Sequence, residues 1–341
     1  MKAIILVGGE GTRLRPLTYT APKQMLPIMG VPMLEGVMGQ LASHGVDEAV
    51  LSLGYLPDRF LEAYPDGRCA GVKLHYATEP SPLDTAGAVR FAAEALTIED
   101  TFLVVNGDVL TDLNVSALVA FHRSSGAEGT VALHPVEDPS RFGVVETDAV
   151  GRVLAFVEKP PREEATTNLI NAGTYVFEPS ALERIPLGER VSIERVTFPQ
   201  MVDDEALYAM SDTSYWLDTG TPQAYLTAHS DILSGRRSPA FVRSPIVDGS
   251  WIAPTAMVAD DATVIASVVD ASVVVGSGAR IEGSVILPGV QIDAGAVIVG
   301  SIVGPRASIG AGAVLEPTCV IGADARVEAG ASLVDVRIPS Q

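Results

Sequence analysis

The sequence predicts an α/β domain with a mostly parallel sheet, followed by a parallel β-helix. In residues 1–232, apolar segments of strand length alternate with segments of helix length, a pattern typical of parallel strands joined by helices. From about residue 246 an aliphatic residue recurs with a period of six, which is the hexapeptide repeat of a β-helix. Residues 233–245, which include Gly235 and Pro239, are the predicted linker.

Six strands and three helices are predicted in the first domain. The predicted strands are residues 3–7, 48–53, 72–76, 101–106, 129–135 and 173–177. The predicted helices are residues 33–44, 86–95 and 115–124. Because ligands of such open sheets bind at the carboxyl ends of strands, polar residues that follow strands are the candidates for a site.

The repeat in residues 246–338 is most regular in its second half. The aliphatic residues with a strict period of six are Val297, Val303, Ile309, Leu315, Ile321, Val327 and Leu333. A small residue precedes most of them by two positions: Ala307, Ala313, Cys319, Ala325 and Ala331. Since three six-residue faces form one coil, the segment predicts about five stacked coils around an aliphatic core, with a looser register before Val297.

Composition restricts the possible partners. The net charge of −19 argues against nucleic acid and anionic membranes, which need a basic face. Cys69 and Cys319 supply neither a disulfide framework nor a zinc site. No apolar run reaches the ~18 residues of a membrane helix. The first strand follows Met1 and Lys2 directly, which leaves no space for a signal peptide, so we expect a cytoplasmic protein.

A glycine-rich loop follows the first strand. It contains Gly8, Gly9 and Gly11, and the cations Arg13 and Lys23 come shortly after it. Glycines allow backbone N–H groups to approach an anion closely, so the loop predicts a phosphate site. The alternative is an ordinary turn with solvated cations.

Two common glycine motifs are excluded here. A dinucleotide-binding fingerprint needs a third glycine, and Leu14 stands at that position. A Walker loop needs Lys and then Ser or Thr after its last glycine, whereas Thr12 and Arg13 follow Gly11. If the loop binds phosphate, it therefore does so as another class of site.

Two aspartates follow predicted strands and are candidate metal ligands. Asp108 comes directly after residues 101–106, and Asp218 lies in the segment Trp216-Leu217-Asp218-Thr219-Gly220. Carboxylates suit Mg²⁺, which also keeps waters and phosphate oxygens as ligands. Taken singly, either aspartate could be a turn or helix-capping residue.

Three further segments are candidates for a ligand-binding site. Glu158 and Lys159 are adjacent at a strand end, so they point to opposite faces unless the strand bends, and Pro160 favours a bend. A surface ion pair is the alternative. Asn171 could bind sugar hydroxyls, and Gly143 could allow a ligand to approach the backbone, although such glycines also occur at bulges.

Residues 80–87 form a loop that leads into the helix predicted from residue 86. This loop contains Asp84, Thr85 and Gly87. We expect unpaired N–H groups at the helix start, which could bind a base edge or a phosphate. No nucleophile paired with a base is evident in the sequence, which suits direct transfer without a covalent intermediate.

The order of motifs resembles one known family. GGxGTRLRP, PKxMLP, PLxTAG, NGD, FVEKP, NAG and WxDxGT are similar to the signature of the sugar-1-phosphate nucleotidyltransferases over essentially the whole first domain. The resemblance implies a Rossmann-like nucleotidyltransferase domain followed by a left-handed β-helix. It is nearest to the bacterial mannose-1-phosphate guanylyltransferases, which implies Mg²⁺-assisted transfer from GTP to mannose 1-phosphate with release of pyrophosphate.

The resemblance also implies roles for individual residues. The implied catalytic residues are Arg13, Lys23, Asp108 and Asp218, of which Asp108 and Asp218 hold Mg²⁺. The implied nucleotide-binding residues are Leu6, Gly8, Gly9, Gly11, Thr12, Arg13, Lys23, Asp84, Thr85, Gly87 and Asp108. The implied sugar-phosphate-binding residues are Gly143, Glu158, Lys159 and Asn171.

One position departs from the family pattern and leaves alternatives open. The family loop reads Pro-Leu-Gly-Thr-Ala-Gly, and Asp84 replaces its middle glycine. A carboxylate there could accept N–H groups of guanine, which is compatible with GTP. The alternatives are glucose 1-phosphate with dTTP, UTP or ATP, and a non-catalytic homologue that senses nucleotide-sugar.

The predicted β-helix raises a further alternative, an acyltransferase domain. It contains no histidine and therefore lacks a histidine general base. The end coils and flat faces of a β-helix are surfaces that another chain can pack against. We therefore expect the chain to form a homo-oligomer through this domain.

Overall fold

The first strand, Lys2–Leu6, lies inside the main sheet with parallel neighbours on both sides, Glu48–Leu53 and Phe102–Asn106. Val72–Thr78 continues the parallel order beyond Glu48–Leu53, and the short strand Arg68–Cys69 ends that side antiparallel. The computed structural model describes residues 1–242 and 244–339, so residue 243 of the predicted linker lies outside it. This half of the sheet has the parallel order of a Rossmann-like domain.

The other half of the sheet is built around the strand Leu169–Phe177. It pairs antiparallel with Phe102–Asn106 and with Gly129–Pro135. Gly143–Thr147 and Val153–Glu158 form an antiparallel hairpin at this side of the sheet. The few residues between them could not form the long crossover that parallel strands need. Leu207–Ser211 adds a parallel strand beside Gly129–Pro135. The predicted fold class is confirmed, with these antiparallel strands as its main addition.

Six α-helices connect these strands or follow them in the described part of the chain, and two of them have a side-chain N-cap. Their bounds are Met33–Ser43, Asp58–Ala63, Asp84–Ala93, Val115–Ser125, Phe198–Asp203 and Pro222–Leu233. The Asn114 side chain accepts a hydrogen bond from the backbone N–H of Ala117 at 3.0 Å, which caps the helix Val115–Ser125. No helix within the described residues is both long enough and apolar enough to cross a membrane.

Two compact units divide the chain, and each contains two separate segments. One unit comprises residues 1–9 and 37–216, and the other comprises residues 10–36 and the residues from 217 onward. Within the second unit the ring of Trp251 lies against Gly30, where a Cβ would be 2.7 Å from Cη2 of the tryptophan. The hydroxyl of Tyr225 donates to the carbonyl oxygen of Pro27. Residues 10–36 therefore pack with the C-terminal half of the chain.

The C-terminal segment forms a parallel β-helix with three sheets. The first sheet contains Trp251–Ile252, Val268–Val269, Val285–Ile286, Ile302–Val303, Val320–Ile321 and Arg337–Ile338. The second contains Met257–Val258, Val274–Val275, Gln291–Ile292, Ser308–Ile309 and Arg326–Val327. The third contains Thr263–Ile265, Arg280–Glu282, Val297–Val299, Val314–Glu316 and Ser332–Val334.

The length of each coil explains the looser register of the earlier repeats. Val268 lies opposite Val285 and Val285 opposite Ile302, so these coils contain 17 residues rather than 18. The interval from Ile302 to its partner Val320 is 18 residues, which gives the strict period of six around it. The fully buried core residues are Val269, Val275, Ile281, Ile286, Ile292, Ile298, Val303, Ile309, Leu315, Ile321 and Val327.

One predicted core position is wrong. Ile298 is buried, whereas its neighbour Val297 is only half-buried. The cause is a face of five residues between Ile298 and Val303, because the 17-residue coil has one short face. A strict period of six extrapolated backward from Val303 therefore goes one residue too far, to Val297 instead of Ile298.

A ladder of buried serines, which the sequence analysis missed, runs along one corner of the β-helix. Ser250, Ser267, Ser284 and Ser301 are all buried. The hydroxyl of Ser284 accepts the backbone N–H of Ser301 at 3.1 Å and donates to the carbonyl oxygen of Glu282 at 2.8 Å. Ser267 makes the same two contacts one coil earlier, so each hydroxyl satisfies backbone groups that the coil corner leaves unpaired.

Ser284→Ala is expected to lower the free energy of unfolding by about 1–3 kcal/mol, because it leaves the buried N–H of Ser301 without its acceptor. Ser332→Ala is the control, since that side chain is exposed in an outer coil. Denaturant unfolding of both variants measures the difference. Equal midpoints for the two variants would contradict the role of the ladder.

Candidate active site

The site residues implied by the sequence belong to both compact units. In the first unit, the end of the first strand contacts the NGD motif. The backbone N–H of Gly107 donates to the carbonyl oxygen of Leu6 at 3.0 Å. A Cβ on Gly107 would lie 2.7 Å from the Val7 side chain, so only glycine permits this approach. The contact fixes the backbone that carries Asp108 beside the start of the glycine loop.

Gly8 and Gly9 follow the first strand and differ in their surroundings. A Cβ on Gly54 would lie 2.8 Å from the carbonyl oxygen of Gly8, so these two backbones are in close contact. A Cβ on Gly9 would meet nothing within 4 Å, and its φ lies outside the left-handed region. Neither close packing nor backbone conformation requires a glycine at position 9. The open space beside Gly9 is therefore available to a ligand.

Gly9→Ala tests this interpretation. We expect the melting temperature to stay unchanged, because the added methyl group meets no protein atom. We expect the KM for the nucleotide to rise roughly 10-fold, the cost of about 1.4 kcal/mol of lost binding. The control is Gly54→Ala, which should lower the melting temperature because its Cβ would clash with Gly8. An unchanged KM for Gly9→Ala would remove Gly9 from the site.

The loop before the helix Asp84–Ala93 does not offer the unpaired N–H groups that the sequence predicts. The N–H groups of Ala86 and Gly87 both donate to the carbonyl oxygen of Val191, at 2.9 and 3.2 Å. The N–H of Leu83 donates to the carboxylate of Glu79 at 2.9 Å. That expectation is therefore wrong, because a later segment of the chain folds back and supplies the acceptors.

The packing of this loop also explains two of its residues, Gly87 and Thr85. A Cβ on Gly87 would lie 2.4 Å from the carbonyl oxygen of Glu189, so glycine allows that segment to pack against the helix. The hydroxyl of Thr85 donates to the Glu194 carboxylate and accepts the N–H of Ile193, both at 2.8 Å. Binding of nucleotide by Thr85 and Gly87 stays a prediction.

Asp84 adopts a left-handed backbone conformation with φ of 61°. That conformation favours glycine, which accounts for the glycine in the family loop, and Asp tolerates it better than most residues. The Asp84 carboxylate accepts the N–H of Thr85 at 2.9 Å and lies 3.8 Å from the Arg190 guanidinium. Its oxygens are thus engaged within the protein.

The strand that carries Glu158 ends in a bend. Lys159 has a φ of 52°, and its Nζ lies 2.8 Å from Oε1 of Glu158. The two side chains therefore meet, although neighbours in a regular strand point apart. The N–H of Lys159 donates to the carbonyl oxygen of Phe142 at 2.9 Å, which ties the bend to the segment before Gly143.

Gly143 has a packing reason for its missing side chain. A Cβ there would lie 2.6 Å from the ring of Phe156 and 3.1 Å from the Glu158 carboxylate. The register irregularity in this hairpin lies elsewhere, between Glu146 and Thr147. Gly143 therefore makes space for Phe156 and Glu158, and its contact with sugar stays a prediction.

Asn171 and the NGD motif approach each other through Gly173. The Asn171 amide donates to the hydroxyl of Tyr175 at 2.9 Å and accepts the N–H of Gly173 at 3.0 Å. A Cβ on Gly173 would lie 2.7 Å from the side-chain nitrogen of Asn106. These contacts bring the NAG and NGD motifs together on adjacent antiparallel strands.

The environment of Tyr175 connects several predicted site residues. Burial raises the pKa of its hydroxyl far above the ordinary value, and the carboxylates of Glu194, Glu158 and Asp108 raise it further. The pairing with Asn171 opposes this rise. Tyr175 thus stays protonated, and two of the acids that act on it, Glu158 and Asp108, belong to the predicted motifs. Glu194 belongs to this group, and no motif in the sequence indicates it.

An aromatic cluster at the end of the first unit was also missed. The Trp216 indole N–H donates to the carbonyl oxygen of Ala172 at 2.9 Å. Its ring stacks on His134 at 5.5 Å and meets the edge of Phe142 at 5.5 Å between centroids. A small cavity lies beside this cluster, lined in part by His134, Ala172 and Trp216. The cluster fixes the backbone of the NAG motif.

In the second unit, the rest of the glycine loop forms two short turns. Gly11 has a φ of 61°, and a Cβ there would lie 2.9 Å from Thr18, so glycine is required by the protein itself. Thr12–Leu14 then forms one turn of 3₁₀ helix. Lys23 begins the turn Lys23–Met25 and is buried, with its Cβ 3.3 Å from the position of a Cβ on Gly11.

Arg13 faces the WxDxGT motif in the same unit. Its Nη2 lies 3.6 Å from Oδ2 of Asp218, and a Cβ on Gly220 would lie 2.4 Å from that nitrogen. The N–H of Gly220 donates to Oδ1 of Asp218 at 2.8 Å. The guanidinium is about half exposed, at 53%, so its cationic face is open to solvent.

The carboxylates were tested for their fit to a metal. Among residues 1–242 and 244–339, no group of three or more His, Cys, Asp or Glu side chains is arranged to hold a metal ion. Mg²⁺ in phosphate-handling sites needs only one or two carboxylates, because waters and substrate phosphates complete its shell. Asp218, with one oxygen held by Gly220 and the other facing solvent and Arg13, fits such a ligand.

The chain was compared with known proteins. Residues 2–235 match the family model described as Nucleotidyl transferase, and residues 246–340 match the one described as GMPPB C-terminal domain. The chain belongs to the nucleotidyl transferase family. This confirms the resemblance seen in the motifs and makes the chain a nucleotidyltransferase. Members of the family use a nucleoside triphosphate, a sugar phosphate and, in general, a divalent metal.

Individual relatives of this nucleotidyltransferase agree in their names. It is 41% identical to the mannose-1-phosphate guanylyltransferase of Mycobacterium tuberculosis over 262 residues, 75% of this chain and 72% of that protein. It is 39% identical to the mannose-1-phosphate guanylyltransferase catalytic subunit beta of Drosophila pseudoobscura pseudoobscura, over 76% of this chain and 71% of that protein. The crystal structure of HddC from Yersinia pseudotuberculosis matches with a TM-score of 0.59 and 28% identity, covering 68% of this chain and 99% of that chain.

Proposed function

We propose that this nucleotidyltransferase transfers a guanylyl group from GTP to mannose 1-phosphate and forms GDP-mannose and pyrophosphate. The observation that carries the proposal is the similarity to relatives of that name at 41% and 39% identity over three quarters of the chain. The matching C-terminal domain extends the likeness beyond the catalytic segment.

The reaction needs charge neutralisation and positioning rather than a protein nucleophile. An oxygen of the sugar phosphate attacks the α-phosphorus of GTP in line, and the bond to pyrophosphate breaks. Both reactants are anions, so Arg13 and Lys23 are proposed to neutralise the triphosphate and the leaving pyrophosphate. The half-exposed guanidinium of Arg13 supports that role. Gly8, Gly9, Gly11 and Thr12 are proposed to bring backbone groups close to the nucleotide.

The acids are proposed to act through a metal. Asp108 and Asp218 would both be ligands of one Mg²⁺. When bound, the ion would offset the negative charge of the phosphate oxygens. Asp218 already has its position defined by the N–H of Gly220. Neither residue needs to gain or lose a proton in this scheme.

The sugar phosphate is proposed to bind at the bend after Val153–Glu158. The Lys159 Nζ would contact its phosphate, since this cation is more than half exposed. Glu158 and Asn171 would accept and donate hydrogen bonds with the sugar hydroxyls, beside Gly143. The link between Lys159 and Phe142 supports the proposal, because it holds these segments together.

The base is proposed to bind at the loop that contains Asp84, Thr85 and Gly87. The engagement of the Asp84 carboxylate with Thr85 and Arg190 weakens the argument that it accepts guanine N–H groups directly. Selection of GTP therefore rests on the relatives rather than on this side chain. Glucose 1-phosphate with dTTP, UTP or ATP stays the alternative pair of substrates.

A substrate grid tests the proposal. Pyrophosphate release is measured for GTP, dTTP, UTP and ATP, each with mannose 1-phosphate and glucose 1-phosphate, at saturating Mg²⁺. We expect GTP with mannose 1-phosphate to give the highest kcat/KM. A higher kcat/KM for another pair would show that GTP and mannose 1-phosphate are not the preferred substrates. Tight binding of GDP-mannose without turnover would instead support a nucleotide-sugar sensor.

We also propose that the chain forms a homo-oligomer through its β-helix and that it is cytoplasmic. Ile252 and Met257 in the first coil are exposed apolar residues, at 40% and 63%. Exposed apolar side chains at an open coil are the kind of surface that another chain covers. Sedimentation of the full chain tests the oligomer, and a monomer at micromolar concentration would contradict it.

A further inference from the structure

The last coil of the β-helix contacts the backbone of the phosphate-binding turn. Arg337 lies in the short strand Arg337–Ile338, which pairs with Val320–Ile321 of the preceding coil. Its Nη1 donates to the carbonyl oxygen of Arg13 at 3.0 Å and to that of Arg15 at 3.1 Å. Both partners belong to the same compact unit as the β-helix. One guanidinium from the end of the chain thus holds two carbonyls near its start.

The chemistry of the turn explains why a cation suits this position. Thr12–Leu14 is a single turn of 3₁₀ helix, in which the N–H of Leu14 donates to Gly11 and the N–H of Arg15 to Thr12. Arg13 lies in this turn and Arg15 is its C-cap, and carbonyl groups at a helix end have no N–H partner within the helix. A charged donor makes stronger hydrogen bonds to such groups than a neutral one does. Nη1 carries two N–H groups, so this one nitrogen can donate to both carbonyl oxygens.

The rest of the loop is held by the C-terminal half as well. Gly30 lies against the ring of Trp251, and Pro27 accepts a hydrogen bond from Tyr225. These two contacts fix the later part of residues 10–36. Arg337 contacts the earlier part, the turn that carries Arg13, through its backbone carbonyls.

We propose that Arg337 is a positioning residue for Arg13, so that the last β-helix coil sets the geometry of the phosphate-binding turn. Because Arg337 bonds to backbone carbonyls, it fixes the direction in which the Arg13 side chain leaves the turn, toward Asp218 at 3.6 Å. Displacements of about 1 Å at a reacting group can cost about 10²-fold in rate, so a flexible turn would lower turnover. The kinetic consequence rests on the proposed function, whereas the rigidity of the turn does not.

The test compares Arg337→Ala with Arg326→Ala as a matched control. Arg326 is an exposed β-helix arginine whose guanidinium pairs with Glu328, two residues away, at 3.2 Å. Hydrogen exchange of the amides of Leu14 and Arg15 reports the rigidity of the turn, and steady-state kinetics report its effect on turnover. We expect faster exchange and a roughly 10-fold lower kcat/KM for Arg337→Ala, since an interaction of about 1.4 kcal/mol is lost. Arg326→Ala should match the unmodified chain in both measurements.

Two further variants separate positioning from a general loss of structure. Arg337→Lys keeps the charge and one donor, so it should recover part of the lost kcat/KM. Combining Arg337→Ala with Arg13→Ala should cost little more than Arg13→Ala alone, because Arg337 acts through Arg13. Full additivity of the two substitutions would overturn the proposal.

The outcomes distinguish this inference from the proposed function. Exchange and kcat/KM of Arg337→Ala equal to those of Arg326→Ala would overturn the positioning role. A chain with no turnover for any pair of substrates would refute the proposed function alone, because the exchange comparison would still decide whether Arg337 holds the turn. A lowered melting temperature that Arg337→Lys fails to restore would mean that the contact is purely structural.

Discussion

Arg13→Ala is expected to lower kcat by about 10²–10³-fold, equivalent to about 3–4 kcal/mol of lost transition-state stabilisation. The guanidinium is half exposed and lies 3.6 Å from Asp218, so it can reach an incoming phosphate without leaving its acidic neighbour. Its charge is needed most when negative charge moves onto the departing pyrophosphate. The effect should therefore fall on kcat more than on the KM for mannose 1-phosphate. Initial-rate kinetics with GTP and mannose 1-phosphate measure both.

Arg15→Ala is the matched control for this prediction. Arg15 lies two residues away, but its guanidinium pairs with Glu10 at 2.6 Å and lies over the ring of Tyr19 at 5.3 Å. The Arg15→Ala variant should lose less than about 10-fold in kcat, because it removes one positive charge near the loop and leaves Arg13 in place. Equal losses for the two variants would mean that overall positive charge, rather than the placement of Arg13, drives the reaction.

Asp218→Asn is expected to lower kcat by roughly 10²-fold or more and to weaken the dependence of the rate on Mg²⁺. The asparagine oxygen can still accept the N–H of Gly220, so the local backbone should stay intact. Removal of a negative charge beside Arg13 should leave the KM for GTP unchanged or lower, because the local potential becomes more positive. Rates measured across a titration of Mg²⁺ separate these effects.

Asp203→Asn serves as the control for the charge change, since Asp203 is exposed at the end of the helix Phe198–Asp203. It should show normal turnover and normal metal dependence. Asp108→Asn should behave like Asp218→Asn if both carboxylates hold the metal. Near-normal turnover with unchanged Mg²⁺ dependence in Asp218→Asn would rule out the two-carboxylate scheme.

Local patterns in the sequence were sufficient for the order of elements and for the class of the site. Strands 48–53 and 129–135 were predicted with the bounds that the structure has. The β-helix was predicted from the six-residue spacing of aliphatic residues. That spacing arises because one aliphatic residue per face must point inward. The error at Val297 arose where a coil loses one residue, since a fixed period cannot indicate a change in coil length.

Contacts between distant segments were beyond the reach of those patterns. The acceptor for the N–H groups of Ala86 and Gly87 is Val191, about a hundred residues later, so the loop seemed open in the sequence. Glu194 and Trp216 join the site for the same reason, through bonds to Thr85 and Ala172. The partners of these side chains, Thr85 and Ala172, have no fixed spacing from them along the chain.

The sequence alone established a phosphate-handling α/β domain followed by a β-helix, because strand periods, glycine loops and hexapeptide spacing are local properties of the chain. Tertiary structure alone decided that residues 10–36 pack with the C-terminal half and that Arg337 bonds to the backbone of Arg13. A hydrogen bond between residues 324 positions apart depends on how whole coils stack, and no local pattern of residues specifies that distance.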